Sequence, residues 1–284
     1  MSPVIQKILA ECETRLNGVD SPRLSAEVLI AHVLRCSRLS LVIDRDRRLT
    51  NGELTDIDSL VERRATGEPV AYILGKKEFY GLEFRVTPDV LIPRPETEHI
   101  VEEVEALYRK SDHFHYADLG TGSGILAVTI ASLFSQAKCI AVDLSVAALA
   151  VARDNAISHG VESRVDFRQA DFTEDIFGTE LFDLIVSNPP YVTQAEFDEA
   201  SHEVTRFEPT TALVSGVDGL DHVRKMLSGV STALKHGGHL FMEIGCGQGE
   251  SVKKIMSDHF PQFRQVSVLK DLSGHDRIVA AQKL

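Results

Sequence analysis

The chain has 284 residues, 43% of them apolar and 25% charged, with a net charge of −12; this is the make-up of a soluble globular protein long enough for two cores. Residues 1–85 balance 13 basic against 13 acidic side chains, so the whole acidic excess lies in 86–284 and argues against a tight, non-specific grip on a phosphate backbone. No apolar run approaches the roughly 18 residues of a membrane span, and Glu11, Glu13 and Asp20 stand where a signal peptide would be apolar.

Residues 1–75 read as helical. Ser21-Pro22 predicts a helix start, with serine as cap and proline in the first turn. Leu24, Val28, Leu29, Ala31 and Leu34 then give a mostly apolar helix. A further helix is expected over Asn51–Arg64, where Leu54, Ile57, Leu60 and Val61 share one face. Arg45, Arg47 and Arg48, Arg63-Arg64 and Lys76-Lys77 form basic clusters, either solvated surface or a docking face for an acidic or RNA-associated partner. Gly67-Glu68-Pro69 interrupts the chain, and 79–86 reads as a short hairpin. The domains are therefore set at 1–75 (helical), 76–92 (hairpin linker) and 93–284.

From about residue 95 strands and helices alternate. Strands are expected at 116–119, 139–143, 165–169, 181–187 and 239–244, with β runs at 265–269 and 277–281; helices fall at 125–134, 146–159 and 219–234. This order predicts an α/β fold with a doubly wound, mostly parallel sheet. Cys12, Cys36, Cys139 and Cys246 form no CxxC pair, which favours free thiols in a reducing compartment. The eleven histidines show no ligand spacing, so no metal is expected.

Asp118-Leu119-Gly120-Thr121-Gly122-Ser123-Gly124 joins the first of these strands to its helix. Glycines there permit positive φ and let a ligand press against the backbone, though a bare tight turn asks for glycine too. The spacing is GxGxG rather than the GxGxxG of dinucleotide binders. The next strand ends in Asp143, placed to accept both hydroxyls of a ribose. The third ends in Asp171-Phe172, an acid for an exocyclic amine and a flat ring for a base, although Asp171 also reads as a turn cap. The loop lacks the lysine of a P-loop, and Asp118 sits at its mouth, so an adenosine ligand without phosphates and with a positive centre fits: S-adenosylmethionine.

Asn188-Pro189-Pro190-Tyr191 ends the 181–187 strand at the same sheet edge. Two prolines remove two backbone donors and stiffen the turn. The Asn188 side-chain oxygen and the carbonyls of Asn188 and Pro189 then offer acceptors for an NH₂ group, and Tyr191 offers a ring to cover a planar one. Fixing both N–H groups of an amide or aromatic amine aims its delocalised lone pair at a methyl sulfonium.

With both motifs present, the sequence resembles the S-adenosylmethionine-dependent N-methyltransferases that carry Asn-Pro-Pro-Tyr. More closely, it resembles the protein-(glutamine-N5) methyltransferases that modify peptide chain release factors. Beyond "DLGTGSGILAVTIA" and "SNPPY", the resemblance rests on "PRLSAEVLIAHVL", "GEPVAYILGKKEFYGLEFRVTPDVLIPRPETE", "FEPTTAL", "DGL" and "EIGCGQG". It implies a seven-stranded class I methyltransferase sheet ending in a β-hairpin, and an N-terminal domain, 1–75, that holds the release factor. It implies a cytoplasmic enzyme acting on the glutamine of the Gly-Gly-Gln loop of class I release factors, with no membrane and no direct nucleic-acid binding. Gly120, Thr121, Gly122, Ser123 and Gly124 would line the cofactor, Asp143 would hold its ribose, and Asp171 and Phe172 would flank the adenine. Thr97, in Arg94-Pro95-Glu96-Thr97, would close over the methionine end, or is simply an early helix residue. Asn188, at the cofactor's edge, would grip the glutamine amide with Pro189, Pro190 and Tyr191. A methyltransferase for a ribosomal-protein glutamine, or for an exocyclic amine of a nucleic acid base, shares this chemistry.

Overall fold

The computed structural model describes residues 2–284. The chain forms two compact units: one runs through Lys76 and includes Ser201–Phe207, the other comprises Lys77–Ala200 and Glu208–Leu284.

Five helices precede the first strand: α1 (Ile5–Arg15), α2 (Pro22–Leu34), α3 (Arg38–Ile43), α4 (Asn51–Ala65) and α5 (Val70–Leu74). Their buried faces meet in one core of Ile5, Leu16, Leu29, Ile30, Ile57 and Val61. The start of α4 is fixed by a reciprocal cap, in which Thr50 Oγ1 accepts from Glu53 N and the Glu53 carboxylate accepts from Thr50 N. Ser21 does not act as the expected cap. It sits at φ 50° and makes no side-chain cap bond, so α2 starts on Pro22 alone.

Strands β1 (Lys76–Phe79) and β2 (Leu82–Arg85) form the expected hairpin, turned through Tyr80-Gly81. The rest of the second unit follows in the order α6 (Glu98–Leu107), β3 (His115–Leu119), α7 (Ile125–Leu133), β4 (Lys138–Asp143), α8 (Val146–Ser158), β5 (Val165–Gln169), β6 (Phe182–Ser187) and α9 (Gln194–Glu199). Helix α10 (His202–Phe207) belongs to the first unit. The chain then continues as α11 (Asp221–Ala233), β7 (Leu234–Glu243), α12 (Gly249–His259), β8 (Phe263–Lys270) and β9 (Asp276–Lys283).

The seven-stranded sheet has the order β5-β4-β3-β6-β7-β9-β8. Its first five strands run parallel, and β9 pairs antiparallel with both β7 and β8, giving the expected terminal hairpin. Alternation along the strands sends side chains to two cores. Tyr116, Leu184 and Val186 point to one, with Leu126, Ile130 and Phe134; Ala117, Leu119 and Ile185 point to the other, with Leu227, Val230 and Met256. Helices α6 and α12 lie outside the sequence expectations. Among the described residues no helix is long and apolar enough to cross a membrane.

The chain first winds outward from β3 to β5, then returns to lay β6 on the other side of β3. The switch point of the sheet therefore falls between β3 and β6, where ligands bind beyond the carboxyl ends of the strands. Leu119 pairs with Ser187 in that register, and Ser187 Oγ donates to Leu119 O at 2.7 Å. The glycine loop and Asn-Pro-Pro-Tyr thus leave the sheet side by side.

Candidate active site

A cavity of about 510 Å³ opens at this switch point, within the range of small-molecule sites, ~300–1,000 Å³. Gly120, Thr121, Gly122, Ser123 and Asp118 line it on one side; Asp143, Asp171, Phe172, Asn188, Pro190 and His222 also line it, as do parts of 88–94 and 209–212. Gly120, Gly122 and Gly124 all have positive φ. A Cβ on Gly120 would stand 3.2 Å from Phe172 Cε1, so the loop needs glycine both for its backbone and for the ring laid against it.

The carboxylates are held in different states. Asp143 Oδ2 accepts from Gly122 N at 2.8 Å and Oδ1 from Ser145 N at 2.9 Å, tying the end of β4 to the glycine loop. Burial raises its pKa against those donors. Asp171 caps the turn by accepting from Thr173 N at 2.9 Å, and the hydrogen bonds from Thr173 hold its carboxyl below the usual range; the turn cap and the cavity wall are the same residue. Asp118 is buried, and burial pushes its pKa up to about 7. Its Oδ2 accepts from Thr121 Oγ1 at 2.6 Å and Ala127 N at 3.1 Å, while Oδ1 has no partner among the described residues.

Asn188 reaches the cavity with its amide already engaged on one side. Nδ2 donates to Thr97 Oγ1 at 3.0 Å, which leaves Oδ1 as the free acceptor. Thr97 is fully buried and not among the residues that line the cavity; its hydroxyl donates to Glu243 Oε2 at 2.6 Å. Tyr191 and Pro189 are likewise not among the residues that line the cavity. The Tyr191 hydroxyl donates to Glu243 Oε1 at 3.0 Å, and burial beside that carboxylate raises the phenol's pKa. The Tyr191 carbonyl accepts from Gln248 Nε2 at 3.0 Å, and Gln248 Oε1 takes Gly245 N at 2.8 Å. A Cβ on Gly219, at φ 73°, would lie 2.2 Å from that carbonyl, so the turn before α11 requires glycine. The "DGL" and "EIGCGQG" segments therefore brace the Asn-Pro-Pro-Tyr turn.

Comparison with known proteins agrees with this geometry. Residues 7–75 match the PrmC N-terminal domain and 98–208 the methyltransferase small domain. The release factor glutamine methyltransferase of Nitratidesulfovibrio vulgaris is 41% identical over 282 residues, covering 98% of this chain and 95% of its own. That of Koribacter versatilis is 42% identical over 263 residues, covering 93% and 92%. This chain belongs to the release factor glutamine methyltransferase family. It is a methyltransferase, and S-adenosylmethionine is its methyl donor. Solved structures share the fold at low identity: the hMettl16 catalytic domain (TM-score 0.57, 13% identical, 78% of this chain and 80% of that one) and a methyltransferase from Pyrococcus furiosus (0.52, 17%, 72% and 90%).

The wall suits the family's cofactor. Asp118 Oδ1 is an unpartnered buried acceptor matched to an ammonium, and Phe172 offers an apolar face. Among the residues that bear on the site and escaped the sequence reading are His222, Gln248 and Glu243. His222 lies 6.0 Å from the Phe172 ring, with Nδ1 2.8 Å from Ser215 Oγ; nothing in its spacing marks it. Gln248 is hidden within a glycine-rich turn. Glu243 left a signal, an acid closing the apolar run Leu240-Phe241-Met242.

Proposed function

We propose that this methyltransferase transfers a methyl group from S-adenosylmethionine to the side-chain nitrogen (N5) of the glutamine in the Gly-Gly-Gln motif of class I peptide chain release factors, in the cytoplasm, modulating translation termination. The observation that carries the reading is Asn188: a rigid turn at the cavity wall whose amide is anchored through Nδ2, with Oδ1 left to accept. The carbonyls of Asn188 and Pro189 lie beside it on a turn that two prolines deprive of donors. The bound cofactor supplies an electrophilic methyl on a sulfonium.

This chain's residues supply the rest. Asp118 Oδ1 would hold the ammonium of the methionine end, Asp143 would take the ribose hydroxyls, and Asp171 and Phe172 would flank the adenine. Asn188 Oδ1 and the Pro189 carbonyl accept the two N–H groups of the glutamine amide and so orient its nitrogen. Orientation of this kind lowers a barrier by up to about 7–11 kcal/mol. No base is required beforehand, because the amide proton becomes acidic only as the nitrogen gains positive charge. The helical unit is proposed to hold the release factor, and the acidic excess in 86–284 favours a protein substrate over a nucleic acid.

Methyl transfer from labelled cofactor to purified release factor tests the reading, beside a Gly-Gly-Gln→Gly-Gly-Ala variant, a ribosomal protein extract and DNA. Label on the wild-type factor alone is expected; label on DNA or ribosomal protein instead would overturn the substrate.

Asp118 makes a second expectation. An aspartate raised to about 7 by burial is destabilising when ionised, so Asp118's own contribution to the stability of the ligand-free protein falls as pH climbs from about 4 through about 7. An ammonium placed on it favours the carboxylate, so cofactor affinity rises over the same window and binding below pH 7 releases a proton. Calorimetry at pH 6.5 in buffers of different ionisation enthalpy measures that release. Zero release, or the same release in Asp118→Asn, refutes the assignment.

A further inference from the structure

Glu243 is as deeply buried as Asp118, and the transfer described above does not use it. It ends β7 at 1% exposure. Burial raises its pKa, opposed by hydrogen bonds from Thr97 and Tyr191 and by the charge of Arg277, with Glu96 acting the other way. Burying a carboxylate costs several kcal/mol unless it is hydrogen-bonded, and here each oxygen accepts from one hydroxyl.

Those hydroxyls carry directional information. A threonine hydroxyl has one hydrogen. With that hydrogen committed to Glu243 Oε2 at 2.6 Å, Thr97 Oγ1 can only accept from its other neighbour. The neighbour is the Asn188 amide, which must then turn NH₂ toward Thr97 and its oxygen away. Tyr191, spending its own hydrogen on Oε1, reinforces the carboxylate as an acceptor-only anchor. Remove the carboxylate and the Thr97 hydrogen is free to point at Asn188 Oδ1. The amide would then flip and present donors, the wrong polarity for an NH₂ substrate.

We propose that Glu243 is a positioning residue that, through Thr97, fixes which end of the Asn188 amide faces the substrate. The consequence for catalysis rests on the proposed amide-gripping role of Asn188; the hydrogen-bond polarity itself does not. Breaking support of this kind typically costs about 10–100-fold in activity.

The test uses the full chain. Thr97→Val removes the hydroxyl at constant shape, Thr97→Ser keeps it, and Glu243→Gln replaces the acceptor-only group with one that also donates. In ¹⁵N spectra of the ligand-free protein, the Asn188 side-chain NH₂ pair, identified by its absence in Asn188→Ala, is expected to exchange slowly with solvent. It should lose that protection in Thr97→Val and Glu243→Gln but keep it in Thr97→Ser. In turnover, Thr97→Val and Glu243→Gln are expected to lower kcat by about 10–100-fold with KM for the cofactor within threefold, and Thr97→Ser to recover most of the loss. An NH₂ pair unchanged in both Thr97→Val and Glu243→Gln would sink the proposal, as would a Thr97→Ser loss equal to that of Thr97→Val. If wild type does not methylate the release factor, the substrate reading fails while the spectra still decide the polarity.

Discussion

Asn188→Ala is expected to lower kcat for release-factor methylation by roughly 10²–10³, with cofactor affinity within about threefold of wild type. The size follows from what the side chain does. A preorganised polar contact in a water-poor site is worth about 3–4 kcal/mol in the transition state, because it needs no reorganisation when charge develops. Asn188 meets that condition. Its amide is held by Thr97, and its backbone enters a double proline that permits only extended geometry before it. Cofactor affinity is spared because the other residues proposed to hold the cofactor, Asp118, Asp143 and Phe172, line the cavity from other strand ends. Single-turnover kinetics on the intact release factor, with calorimetry for the cofactor, separates the two quantities. Activity within threefold of wild type would remove Asn188 from the chemistry, and an equal loss in affinity would make it a cofactor ligand instead.

The parts of this site that the sequence makes legible are those written locally. Gly120, Gly122 and Gly124 announce a backbone that must turn through positive φ, and Asp143 marks its own strand end. The alternation of strands and helices then dictates that these ends share one edge, and the pairing of Leu119 with Ser187 is the expression of that rule. What stays illegible depends on partners far away in the chain. Thr97 meets Glu243 across 146 positions and Asn188 across 91, so neither periodicity nor spacing can place its hydroxyl; the neighbouring "RPET" left a lid over the cofactor and an early helix residue equally open. Helix α10 is a similar case. It is six residues long and has no buried face, so its sequence gives no reason to assign it to the helical unit. One contact that ties it there is made by an arginine.

That arginine is Arg64, and replacing it with methionine is expected to destabilise the helical unit by about 3 kcal/mol, whereas Arg63→Met costs under about 1. In the sequence the two are one basic pair, equally suited to a docking face. In the structure Arg63 is 43% exposed and paired with Glu68, an arrangement worth little in solvent. The Arg64 side chain is 3% exposed. Its guanidinium donates to Ser25 Oγ at 3.1 Å, to the carbonyls of Asp20 and Glu68 at 3.0 and 3.1 Å, and to Glu203 Oε1 at 2.5 Å. Methionine keeps the apolar stem but leaves these acceptors unpaired, at about 1–3 kcal/mol for each one that water cannot reach. Glu203 remains partly solvated, which keeps the total near the lower end of the range for a broken buried pair. Two units need not unfold together, so hydrogen exchange resolved along the chain is the suitable measurement. Faster exchange confined to α2, α4 and α10 in Arg64→Met, and absent in Arg63→Met, is the expected result. Equal exchange in the two variants would return Arg64 to the surface. A docking experiment by charge reversal belongs at Arg47 and Arg48, which are exposed, because at Arg64 it would measure unfolding.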